Sequence, residues 1–241
     1  MKQLMLVARR DLGAYFNSYW GYAVIAAVLV MDGLLFNAFA LGDKAKYSSN
    51  VIEEFFYFSF GTSIIASILL TMRLLAEERQ TGTIVLLDSA PLREWHIVGG
   101  KYVSAMTVMA GLILATTYMP ALVFVNGKVS YGHIAAGYLG LLLVAGATTA
   151  VGTFASTVAR SQLVAGFLSV ALIVFLLVMW LLAKVTEPPL QDVFSYMSLF
   201  DRHYRGFMRG QINTEDIVFY GSIIFVFLML SSRFLAARRW R

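Results

Sequence analysis

Six long apolar runs separated by short polar stretches set the pattern of this chain, near 20–42, 55–76, 102–125, 132–158, 163–185 and 216–236. Each is long enough to cross a bilayer as a helix, which takes about 20 residues. None shows the two-residue alternation of a membrane barrel strand. The pattern predicts an all-α membrane protein, a single domain over residues 1–241 with six transmembrane helices. The fourth run is rich in Gly and Ala. Its Gly146-x-x-x-Ala150 spacing, with Gly137, Gly140 and Gly152 nearby, predicts close packing against neighbouring helices. Ahead of the first run, Leu4, Met5, Ala8, Leu12, Tyr15, Phe16 and Tyr19 share one helical face, and Lys2, Arg9, Arg10 and Asn17 lie off it. That predicts an amphipathic helix over 1–19 lying in the membrane interface; the plainer alternative is a frayed basic anchor. Arg9-Arg10-Asp11 interrupts the apolar stretch too early for a signal peptide.

Composition agrees with the pattern. The chain is 59% hydrophobic and 14% charged, against about 45–50% and 25% in soluble domains, so a water-soluble core is excluded. Six crossings leave about 100 of the 241 residues for ends and loops, too few for an ordinary nucleotide-hydrolysing domain. The chain has no cysteine, which removes disulfides, thiolate metal sites and cysteine nucleophiles.

The net charge of +5 raises nucleic acid as a partner, but the basic residues lie between apolar runs and at both termini, with no basic stripe. They read as orientation signals instead. With both termini cytoplasmic, twelve of the 19 Lys and Arg fall on inner segments and seven on outer ones. The bias favours a multi-pass protein of the cell (inner) membrane with both ends inside.

The segment over 77–101, between the second and third runs, carries the most information. Glu77-Glu78-Arg79 ends the second crossing, Thr81-Gly82 breaks the helix, and an apolar turn runs from Thr83 through Ile84 to Leu87. Pro91 then suits the first position of the next helix. A short helix across the inner face, flanked by charge, suits docking of a cytoplasmic partner; a plain polar hairpin is the alternative. Glu-Glu-Arg-x-x-Gly-Thr followed by Pro91 and Gly100-Lys101 resembles the coupling segment of the type-2 ABC-transporter permease family, and Met197 to Asp216 is similar to that family's outer segment before its last helix. Asp88-Ser89-Ala90 departs from the family's more apolar or Thr-rich pattern. The branch associated with gliding motility is the nearest within it.

This resemblance implies a half-transporter that works as a dimer, with a second copy or a different permease, driven by a separate ABC ATPase subunit. ATP and Mg would sit on that partner, with no cofactor on this chain. It implies that Glu77, Glu78, Arg79, Gly82, Thr83, Ile84 and Leu87 form the ATPase-docking segment. The residues agree in one respect: Gly99-Gly100-Lys101-Tyr102 lacks the upstream glycine and the Ser or Thr of a phosphate loop.

Between the fifth and sixth runs, over 186–215, Leu190, Val193, Phe194 and Met197 recur at helical spacing in a stretch too short to span. A re-entrant outer piece is expected, serving as an outer gate through Phe194, Met197 and Phe200, or simply capping the bundle. Asn213 is placed to cap the last helix, with Glu215 and Asp216 in its first turn. Asp32 lies mid-crossing, where a lone carboxylate is costly; it predicts a translocation-path contact or an internal hydrogen bond. Arg73, Lys184 and Arg233 are placed to snorkel to headgroups.

Catalytic readings find little support. His96, His133 and His203 are far apart and match no metal-binding spacing. Asp201-Arg202-His203 offers an acid–base pair without a nucleophile. Three functions stand: the membrane subunit of an ATP-driven exporter, preferred; a permease-like scaffold doing mechanical work on an envelope complex; and a membrane-embedded enzyme.

Overall fold

The computed structural model describes residues 2–42, 46–85, 92–127 and 129–239. Helix α1 (Lys2–Phe16) is followed by α2 (Tyr19–Leu35), whose last turns, Phe36–Leu41, are π-helical. Then come α3 (Ser48–Thr71), α4 (Ala76–Gln80), α5 (Glu94–Ala115), α6 (Tyr118–Asn126), α7 (Tyr131–Val158), α8 (Gln162–Val185), α9 (Leu190–Met197), α10 (Tyr204–Met208) and α11 (Thr214–Arg239). Six stretches are long and apolar enough to cross a membrane: Tyr19–Leu41, Ser48–Gln80, Glu94–Val125, Tyr131–Val158, Gln162–Val185 and Thr214–Arg238. Six crossings put both termini at one end of the bundle, here the terminal end; α9 and α10 lie at the far end.

Helix α7 is the hub, packed by α11, α3, α8, α5 and α10. Its small residues make this possible. A methyl group added at Gly137 would run into Phe56 and one at Gly152 into Thr71, while at Gly140 it would lie 2.6 Å from Cβ of Phe207. The Gly and Ala richness of the fourth run is therefore a packing feature. About two-thirds of the most apolar window of α7 is buried, against 17–28% for the first, fifth and sixth spans. Those three leave most of their apolar windows unburied.

Span ends depart from the apolar runs where polar residues find partners. The second crossing starts at Ser48, because Glu53 and Glu54 are held by Arg209 and Lys46. The third is broken at Thr116-Thr117, just ahead of Pro120, which has no N–H to return to the Thr116 carbonyl. Helix α5 begins at Glu94, after an extended Arg93; Pro91 lies outside the described residues.

Helix α1 packs along α5. Its buried face is Val7, Ala8 and Asp11, with Leu4, Leu12 and Tyr15 half-buried, while Met5, Phe16 and Tyr19 are exposed. The packed face is thus rotated from the one expected. Gly99-Gly100 decides this: a Cβ on Gly100 would stand 2.7 Å from Val7 Cβ and 2.9 Å from the Leu4 carbonyl oxygen, so α1 approaches α5 over bare backbone.

Candidate functional site

At the terminal end, four charges meet. Lys101, about two turns inside α5, has a side chain only 3% exposed, and an ammonium there is stable only if paired. Its Nζ lies 2.9 Å from Asp11 on α1 and 2.9 Å from Glu78 on α4. Arg10 closes the group, donating to Asp11 at 2.8 Å and to Oε1 of Glu78 at 2.8 Å. Two cations thus balance two carboxylates and tie α1, α4 and α5 together. Beside them Tyr15 donates to the Leu70 carbonyl at 2.8 Å; burial, and then the Asp11 carboxylate, raise its pKa well above the usual phenol range, so it stays a donor.

Helix α4 is also tied to the opposite side of the bundle. The Ser156 hydroxyl accepts the backbone N–H groups of Leu75 and Ala76, at 2.9 and 3.0 Å, satisfying two donors at the start of α4. Arg79 donates to the Ala159 carbonyl at 2.9 Å. The short helix therefore bridges the α1–α5 pair and the α7–α8 junction.

The predicted docking residues divide accordingly. Glu78 and Arg79 face inward, into these contacts. Glu77 pairs with Arg73, whose Nε donates at 2.7 Å, and Arg73 also lies 5.7 Å from the Trp20 ring centroid, so this arginine is held within the chain. Gly82, at φ +75°, makes the left-handed turn that ends α4. Thr83 donates to the Glu78 carbonyl at 3.3 Å. Thr81, Gly82, Thr83 and Val85 are exposed and Ile84 half-buried, while Leu87 lies outside the described residues. A cavity of about 320 Å³ opens beside this turn, between Tyr15, Trp20, Arg73 and Lys101.

Asp32 is buried, 4% exposed, and accepts the Thr62 hydroxyl at 2.6 Å. Thr62 also lines an apolar groove of about 300 Å³ between α2 and α3 that reaches Tyr57 and Phe200. Phe200 packs edge-on against Tyr57 and Phe60. Phe194 and Met197, on α9, are half-buried. Tyr57 and Phe200 also wall a second, polar cavity of about 730 Å³ beneath α9.

Far-end order comes from a contact that adjacency in sequence does not reveal. Fully buried His203 pairs with Asp216, Nδ1 to Oδ1 at 2.7 Å, whereas Asp201 pairs with Arg205. The local Asp201–His203 pair is not formed. Nε2 of His203 lies 2.9 Å from the Tyr196 carbonyl and the ring stacks on Phe219. A carbonyl can only accept, so Nε2 carries a hydrogen, and a further proton lies between Nδ1 and the carboxylate. Asn213 precedes α11 as expected, but its side chain donates to Asp216 at 3.1 Å. Nearby, burial pushes the Tyr204 phenol well above its ordinary pKa, and it donates to the Phe56 carbonyl. Among the described residues no group of three His, Asp or Glu could hold a metal ion.

The family model described as ABC-2 family transporter protein matches residues 16–238. The chain belongs to the ABC-2 transporter family. It is an ABC-2 permease membrane subunit, a multi-pass membrane protein of a class that generally pairs with ABC ATPase subunits and is typically non-catalytic itself. No curated protein matches it significantly.

Proposed function

We propose that this permease is half of an ATP-driven exporter in the inner membrane, with both termini cytoplasmic, and that it extrudes substrate when a separate ATPase subunit pushes on α4 and the following turn. ATP and Mg sit on that subunit. The observation that carries the reading is the exposed Thr81–Thr83 turn, with exposed Val85 just past it, set directly on a helix bridged to α1, α5, α7 and α8. A push there reaches four elements at once. Glu77, Glu78 and Arg79 hold the docking turn in place, and Gly82, Thr83, Ile84 and Leu87 present it. Asp32 is a contact on the path, and Phe194, Met197 and Phe200 form the far gate. A partner permease, a second copy or a different chain, covers the exposed spans; the patterns at 76–101 and 197–216 support placing the chain nearest the gliding-motility branch.

The test is reconstitution of the permease with its ATPase in sealed vesicles. ATP-dependent movement of a candidate substrate, absent without the ATPase, is expected. Hydrolysis without movement of any candidate would overturn export and leave the scaffold that does mechanical work.

A further inference from the structure

The two far-end cavities share two walls, Tyr57 and Phe200. One side of those walls is apolar, lined by Met31, Leu35, Phe58, Phe60, Gly61 and Ile65. It follows α3 from Tyr57 to Ile65, about 12 Å along the helix axis. The other side is polar and lies where α8 ends, beside Trp180, a residue type that favours headgroup depth. An apolar slot continuous with a polar basin at the end of a span is the shape of an amphiphile.

The charges of the basin narrow the headgroup. Arg205 is paired with Asp201 and Arg202 with Glu215. Two charges of opposite sign, Lys184 and Asp192, line the same basin without an ion-pair partner among the described residues. Lys184 is steadied over the Trp180 ring, 4.2 Å from its centroid. Ser198, which also lines the basin, is 1% exposed and its hydroxyl has no hydrogen-bond partner; such a group normally has one. A purely anionic headgroup would satisfy Lys184 and be repelled by Asp192. A quaternary ammonium has no N–H to give Asp192 or Ser198.

We infer that these cavities bind a phospholipid whose headgroup carries both a phosphate and a primary ammonium, with the phosphate on Lys184, the ammonium on Asp192 and an acyl chain in the α2–α3 groove. This rests on the exporter reading for its meaning, since it makes such lipids the substrate class, but binding itself needs no ATPase.

The experiment uses the full chain in vesicles containing phosphatidylethanolamine, phosphatidylglycerol or diacylglycerol, each bearing a photoreactive diazirine in its acyl chain. Labelling of the 57–65 peptide is read by mass spectrometry. Phosphatidylethanolamine should label it most strongly. Asp192→Asn should lower that labelling about fivefold, the scale of one exposed charge contact, without lowering labelling by phosphatidylglycerol. Lys184→Gln should weaken both phospholipids and leave diacylglycerol unchanged. Gly61→Leu should block all three, and it fits the fold because a Cβ there meets nothing within 4 Å. Equal labelling by the three lipids, an unchanged ratio in Asp192→Asn, or intact labelling in Gly61→Leu would overturn the site. Headgroup-selective labelling with no ATP-dependent movement of that lipid would leave the site standing and overturn these lipids as the substrate class, while the exporter reading stands or falls on its own transport test.

Discussion

Replacing Lys101 with methionine is expected to destabilise the permease by about 3 kcal/mol, because it leaves two largely buried carboxylates short of a cation. Asp11 and Glu78 have side chains 11% and 19% exposed. Arg10, about half exposed, still reaches both, which keeps the loss at the lower end of the range for a broken buried pair. The effect is one of orphaned charge and not of lost packing, so it has a signature. Adding Asp11→Leu to Lys101→Met removes one orphan and should recover about 1–2 kcal/mol as a coupling energy. Thermal unfolding of the two variants in detergent, beside Asp11→Leu alone, completes the cycle. Strict additivity would show that the three-helix ion network does not hold α1 and α4 to α5.

At the far end, His203→Ala is expected to be the most damaging substitution, again about 3 kcal/mol. It strands Asp216, 4% exposed, with only the Asn213 amide for a partner, and removes a ring stacked on Phe219. Asp216→Asn should behave quite differently. A neutral His203 keeps its Nε2 hydrogen on the Tyr196 carbonyl, and its bare Nδ1 accepts from the new amide. Asn213 still finds a carbonyl oxygen, so every bond is kept and the cost stays under about 1 kcal/mol. Limited proteolysis between α8 and α11, read beside thermal unfolding, separates the two. Equal loosening by both variants would contradict the proton arrangement given for this pair.

The sequence alone carried the spans well, because a membrane helix needs a long apolar run and six are present. It carried their ends less well. Ser48 and Glu94 start helices beyond the runs because Glu53, in the first of these helices, is held by Arg209, and Lys101, in the second, by Asp11, both far away in the chain. The four-charge group was hidden for the same reason: Asp11 and Lys101 are 90 residues apart, and no local period encodes that pairing. One signal was present, a lysine directly at the edge of an apolar run, where a charge has to be paired, snorkelled or functional. Gly99-Gly100 read as a failed phosphate loop, while in the fold it is the floor on which α1 lies. Glu77, Glu78 and Arg79 stood out as a charged docking face, yet their side chains bond within the chain, so the surface left for a partner is the turn that follows them. At the far end, Asp201 stood closest to His203 in sequence, but helix geometry gives Asp201 to Arg205, four residues on, and gives His203 to Asp216 at the start of the next span.

The absence of native cysteine makes the central claim directly measurable. A single thiol introduced as Val85→Cys, exposed just past the turn that follows α4, can be crosslinked to the ATPase subunit in native membranes with a short thiol–amine reagent. Leu190→Cys, exposed on α9 at the far end, serves as the companion. The account predicts a permease–ATPase adduct from Val85→Cys that changes in yield when ATP is added, and none from Leu190→Cys. An adduct from Leu190→Cys, or none from Val85→Cys while the two subunits still co-purify, would contradict it.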